Sequence, residues 1–115
     1  MFAQSAAVRV FLAPGVTDMR KSFNGLFALV RRDFREDPLT GHLFVFSNRR
    51  RDRLKILYWD GSGLWVCAKR LEKGTFRWPH ANAKSIELTR SELNLLLAGI
   101  DLRNWSKRRW MSRTS

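Results

Sequence analysis

Three features of the sequence predict an α+β domain, a mostly antiparallel β-meander sheet packed against one main helix with a short C-terminal helix. Four apolar runs between His42 and Trp78 are separated by one basic turn and two glycine turns. Met19, Phe23, Leu26, Phe27, Val30 and Phe34 recur at three- and four-residue spacing, the period of one helix face. Thr89 to Glu92 matches a capping box just ahead of Leu93, Leu96 and Leu97, which marks the second helix.

Taken in order, Val8 to Ala13 reads as a first strand closed by Pro14 and Gly15. Thr17 and Asp18 offer N-cap oxygens to the main helix, whose six apolar residues are expected to be buried against the sheet. Its outer side carries Arg20, Lys21, Arg31, Arg32 and Arg35, the last three complementing the helix dipole. Gly25 costs about 1 kcal/mol relative to Ala and is expected to mark close packing on the sheet. Glu36 to Gly41 connects to the meander.

His42 to Ser47 is apolar on both faces, as a strand buried between layers must be. Leu54 to Trp59 follows, with Leu54, Ile56 and Tyr58 on one face and Leu57 and Trp59 on the other. Asp60 to Gly63 has the residues of a tight hairpin, so Leu64 to Leu71 should return antiparallel. Glu72 to Gly74 then turns into a further strand, Thr75 to Trp78, which Pro79 stops. His80 to Lys84 is a loop and Ser85 to Leu88 a last short strand. Gly99 closes the second helix and Ile100 folds back on its last turn. Residues 1–101 form a single domain on this reading, and 102–115 a basic tail expected to be poorly ordered when free.

Charge is the informative part of the composition. Of a net +12, +6 falls within residues 41–79 and +4 within 101–115. A one-sign field of this size makes nucleic acid the default partner and an anionic membrane the second. No apolar run reaches transmembrane length, and the chain starts without a basic segment before its apolar residues, so we expect a cytoplasmic protein without a membrane partner. The lone Cys67, inside a strand, supplies neither a disulfide framework nor a cysteine zinc site within one chain.

A meander alternates its turns between the two ends of the sheet. The turns at 48–53 and 72–74 therefore share one end, which gathers Arg49, Arg50, Arg51 and Arg53 with Lys69, Arg70, Lys73 and Arg77 into a basic rim. Guanidinium groups match phosphate bidentately, and four arginines with only Asp52 among them repel one another without a polyanion. Lys107, Arg108 and Arg109 extend the charge into the tail. Arginines also sit in ordinary solvated turns. On the rim reading, loss of Arg49, Arg50 and Arg51 leaves folding almost untouched. Trp59, Trp65 and Trp78 suit core or sheet surface better than a base-stacking platform.

The acidic residues have plain structural tasks: Asp18 an N-cap, Asp60 a turn, Glu92 a capping box. His42 and His80 lack a catalytic or metal-binding pattern, so neither enzyme activity, a metal nor a cofactor is expected.

The blocks Val16 to Leu26, Gly41 to Phe46, Asn48 to Gly61 and Lys69 to Pro79 closely resemble the Orf2-like accessory proteins (TnpB) of the IS sixty-six family of bacterial insertion sequences. These are distinct from the RNA-guided nuclease of the same name. The resemblance runs from about Val8 to Asp101; Asn24 stands where the family usually has Asp, and Cys67 where it usually has a larger apolar residue. It implies a protein encoded beside, and needed with, a separate transposase that carries the catalytic carboxylates. The residues and the resemblance together suggest a non-catalytic accessory protein that binds DNA phosphates through the rim, with the transposase and other proteins of the element as partners. The alternative is an adaptor docking on the transposase without touching DNA. The oligomeric state is not encoded in any pattern of the chain.

Overall fold

The structure is a computed structural model and describes residues 8–99. Five strands form one sheet: β1 (Val10–Leu12), β2 (Leu43–Ser47), β3 (Arg53–Trp59), β4 (Leu64–Arg70) and β5 (Ile86–Leu88). Their order is β4-β3-β2-β1-β5, with β1 parallel to β2 and every other pair antiparallel. Helix α1 (Phe23–Leu29) runs on as a π-helical turn, Val30–Phe34, and α2 is Arg90–Leu97.

Alternation along the strands divides the core in two. Phe11, Phe44, Phe46 and Leu57 face α1, where Leu26, Leu29, Val30 and Phe34 cover them. Val10, Leu12, Leu43, Val45, Leu54, Ile56 and Tyr58 face the other way, against Phe76, Trp78, Leu93 and Leu96. The sheet is thus covered on both sides, and all five residues of β2 are buried, as its two-faced apolar run requires.

The expected strand at Thr75 to Trp78 does not form. The Leu71 N–H donates to the Asp52 carbonyl (2.8 Å) and the Phe76 N–H to the Arg51 carbonyl (2.7 Å), so the chain crosses the end of the sheet. Phe76 and Trp78 then sink into the core opposite α1. Burying each of these aromatics contributes roughly 1.5 to 3 kcal/mol or more, which a half-exposed edge strand would forgo. The sheet instead grows on its other side, where β1 takes the parallel place beside β2 that a β-α-β unit provides.

The main helix starts later than its apolar spacing suggests. Asp18 accepts from the Arg20 N–H and guanidinium, and the Lys21 N–H donates to the Asp18 carbonyl, making a turn instead of a helix cap. Lys55 Nζ, reaching up from β3, donates to the carbonyls of Met19 and Lys21, both at 2.8 Å, and so withholds them from a helical ladder. Phe23 therefore lies in the first turn and is 46% exposed, while Met19 and Phe27 are only part-buried; Leu26, Val30 and Phe34 are buried as expected, and Leu29 joins them. The neighbour of Gly25 is the Lys21 side chain, 3.0 Å from a Cβ built there, and not the sheet.

Other expectations hold. The Thr89 and Glu92 side chains make both bonds of the capping box, and Gly99 lies at φ 83° after α2. The fold-back of Ile100 and the tail from residue 102 lie outside the described residues. At the hairpin, the Asp60 carboxylate accepts from the Trp65 indole N–H (2.6 Å) and from the N–H groups of Ser62 (2.8 Å) and Gly63 (2.9 Å).

Two outcomes test this packing. Leu26→Ala should lower unfolding free energy in urea by about 2 to 5 kcal/mol, and Phe23→Ala by much less. The Trp65 bond first, then those of Ser62 and Gly63, hold the Asp60 carboxyl well below the usual range. Its contribution is therefore complete above the unfolded value of about 3.9 and lost as pH falls toward the lower folded value. The thermal midpoint of the wild type should fall more steeply with acidification below about pH 4 than that of Asp60→Asn.

Candidate nucleic-acid interface

The sequence places four arginines in or beside the turn that joins β2 to β3, and the polar residues among them decide its shape. The Asn48 side chain accepts from the Arg53 N–H (3.1 Å) and donates to Asp52 (2.7 Å), while the Ser47 hydroxyl donates to the Arg53 carbonyl (2.8 Å). Arg51 sits at φ 58°, in the left-handed region. Its carbonyl accepts from Phe76 N–H, tying the turn to the crossing segment. A reading guided by charge passes over Asn48 and Ser47, although an Asn opening a tight turn is a known bracing signal.

The arginines divide into two kinds. Arg51 turns inward: its guanidinium donates to the carbonyls of Pro14 (2.8 Å) and Gly15 (3.1 Å) and lies 5.3 Å from the centre of the Trp78 ring. Burial pushes its pKa below the usual arginine range, with the charge of Arg49 acting in the same direction. The expectation that folding ignores its loss is therefore corrected, since Arg51 fastens the β1 loop to the turn. Arg49, Arg50 and Arg53 are exposed, Arg50 lying 4.0 Å from Asp52.

Register completes the rim. Arg53 of β3 and Arg70 of β4 are direct cross-strand partners. Like charges so placed are destabilising unless something anionic lies between or over them. The exposed Glu72 reaches Arg70 at 3.2 Å, a bond of small worth in water. Beside this pair a shallow groove of about 370 Å³ runs between Met19 and the strands, lined by Arg53, Lys55 and Arg70. Lys73 and Arg77 are exposed in the crossing segment that is bonded to the same turn. Lys69 faces the other way, its Nζ donating to the Leu97 carbonyl at the end of α2 (2.8 Å). Lys107, Arg108 and Arg109 lie outside the described residues.

Trp78 is buried, Trp59 half-buried, and Trp65 is 46% exposed with its ring stacked on Tyr58. Burial pushes the Cys67 thiol up, away from the thiolate form a reactive cysteine needs. Among the described residues no group of three or more His, Cys, Asp or Glu side chains could hold a metal ion. No helix among them is long and apolar enough to cross a membrane.

Comparison with known proteins points in one direction. A family described as "IS66 Orf2 like protein" matches residues 8–107. Two uncharacterized proteins of Sinorhizobium fredii (strain NBRC 101917 / NGR234) are similar. One, y4jC, is 40% identical over 101 residues, 88% of this chain and 86% of the relative. The other, y4hO, is 40% identical over 104 residues, 90% of each. No solved structure matches the chain.

The two kinds of arginine separate in a stability measurement. Arg51→Ala leaves the part-buried Pro14 carbonyl without its donor and should lower unfolding free energy by about 1 to 3 kcal/mol. Arg51→Lys should recover little, because an ammonium lacks the planar fork. Arg49→Ala should stay within about 0.5 kcal/mol of wild type in the same urea titration.

Proposed function

The chain belongs to the family of IS66 Orf2-like proteins and is thereby associated with transposition, and on that premise we propose that it is a non-catalytic accessory factor holding DNA by its phosphates. The observation that carries this reading is the Arg53 and Arg70 pair, two like charges held opposite one another on adjacent strands with Arg49, Arg50, Lys73 and Arg77 around them. Strand pairing fixes the spacing of the two backbone positions in advance, so less ordering entropy is lost when phosphate binds than for arginines on unpaired segments. Phosphate contacts of this kind position a protein on DNA without reading sequence. The tail cations Lys107, Arg108 and Arg109 extend the same field, and residues 1–101 form the domain that presents it. The separate transposase and other proteins of the element are the remaining partners on this reading.

A second reading, docking on the transposase without DNA contact, is favoured by one observation. β4 is the last strand of the sheet on its side, and it carries the half-exposed Trp65. An open edge of that kind accepts a strand from a partner.

Salt dependence decides between them. Removing one phosphate contact should reduce the slope of log affinity against log salt by roughly 0.9 on duplex DNA. Arg49, Arg50 and Arg53 changed together to Ala should therefore flatten the slope by up to about 2.7 and weaken binding to any duplex. Arg51 stays in place so that the fold is kept, which a thermal melt checks. An unchanged slope in the folded variant, with transposase association abolished instead, would remove the phosphate reading in favour of docking.

A further inference from the structure

The carboxyl ends of the parallel strands β1 and β2 open on a crevice that the rim does not include. It has a volume of about 700 Å³ and lies between the segment after β1, the loop before β5 and the π-helical end of the main helix. In sheets with parallel strands, ligands sit beyond the carboxyl ends, where the connections part and leave room. The walls are fixed: the Ala13 N–H donates to the Val45 carbonyl (3.0 Å) and the Thr17 N–H to the Ser47 carbonyl (2.8 Å), extending the ladder past β1.

The crevice favours an anion. Lys21, Arg32 and Lys84 line it with Asp18 and Asp33. Both acids are already engaged, Asp18 by Arg20 at 2.7 Å and Asp33 by Arg32 at 2.9 Å. Lys21 and Lys84, from different segments of the chain, form no ion pair among the described residues and act on Asp18 and Asp33 respectively only through space. The half-exposed Val16, His80 and Asn82 line the same crevice. A phosphate is matched by the lysines, and a flat, partly polar ring by the remainder. The volume falls within the range of small-ligand sites.

The crevice also adjoins the rim. Pro14 and Gly15, which line it, are the residues whose carbonyls Arg51 holds from the basic turn. We propose that it receives an unpaired nucleotide of a DNA strand whose duplex lies on the rim, Lys21 and Lys84 binding phosphate and His80 with Val16 flanking the base. This rests on the DNA-binding reading above. It adds a preference that phosphate contacts alone do not give, for strand ends or unpaired nucleotides over closed duplex.

Fluorescence anisotropy with a blunt duplex and the same duplex carrying a two-nucleotide overhang tests it. The wild type should bind the overhang at least about fivefold more tightly, the low end of what one stacked base supplies. Lys21→Ala with Lys84→Ala should bring that ratio to about one while blunt-duplex binding persists. The rim triple variant should weaken both and keep the ratio. Equal affinities in the wild type, or a ratio retained in the lysine variant, overturn the inference and leave the rim reading standing. If neither duplex binds, the rim reading falls, and an amide NMR titration with the dinucleotide pTpT decides the crevice alone. Shifts at residues 14–21 and 80–84, absent in the lysine variant, support it, and no shifts there overturn it. Thymidine monophosphate binding as tightly as the overhang would assign the crevice to free nucleotides and overturn the strand-end assignment.

Discussion

The contact between Arg51 and Trp78 across one end of the sheet is the constraint on which the rest depends. The Trp78 indole N–H donates to the Ala13 carbonyl (2.9 Å), and the guanidinium above it holds the next two carbonyls, of Pro14 and Gly15. Three segments distant in sequence, the end of β1, the basic turn and the crossing segment, are joined in one place. A buried backbone carbonyl without a donor costs free energy comparable to a missing hydrogen bond, so the loop after β1 needs these partners. Because Trp78 must reach that position, Thr75 to Trp78 cannot lie beside β4. The open β4 edge and the covered second face of the sheet follow from the same requirement.

A strongly basic chain has to place its cations without stranding them, and here three of the described ones are placed on backbone carbonyls. Lys55 holds two at the approach to α1, Lys69 one at the end of α2, and Arg51 two beyond β1. A cation at a helix C-terminus also meets the negative end of its dipole. These residues count toward the formal charge, yet they serve as fasteners. Among the described residues, the exposed cations near the turn without a carbonyl partner are Arg49, Arg50, Arg53, Arg70, Lys73 and Arg77, and Lys21 and Lys84 are exposed by the crevice. Net charge alone thus overstates the contact surface, and of the cations near the turn Arg53 and Arg70 stand on strands.

What was legible in the sequence was local. The β2-β3-β4 meander, the Asp60 hairpin and the capping box at Thr89 each rest on residues close in sequence, and their turn chemistry is specific. Turn alternation in a meander is geometric, so it brings the turns at 48–53 and 72–74 to one end, but it does not show that Arg51 turns inward and Lys69 away. The parallel pairing of β1 with β2, the crossing of Phe76 and Trp78, and the inward turn of Arg51 all depend on contacts between distant segments. Apolar spacing could not distinguish a last strand from two aromatics folding under the sheet, since residues two apart share a side in both. The late start of α1 was hidden for a related reason: the carbonyls that Lys55 takes lie more than thirty positions away in the chain.

The two readings of function draw on different groups, and the fold keeps them apart. DNA at the rim would use side chains at the end of the sheet, where β2 passes into β3. Addition of a partner strand would use the backbone N–H and C=O groups along the outer edge of β4, a surface running from Leu64 toward that end. Arg70, the last residue of β4, stands where the two meet. Its pairing with the exposed Glu72 is weak enough for a phosphate or a partner carboxylate to replace it.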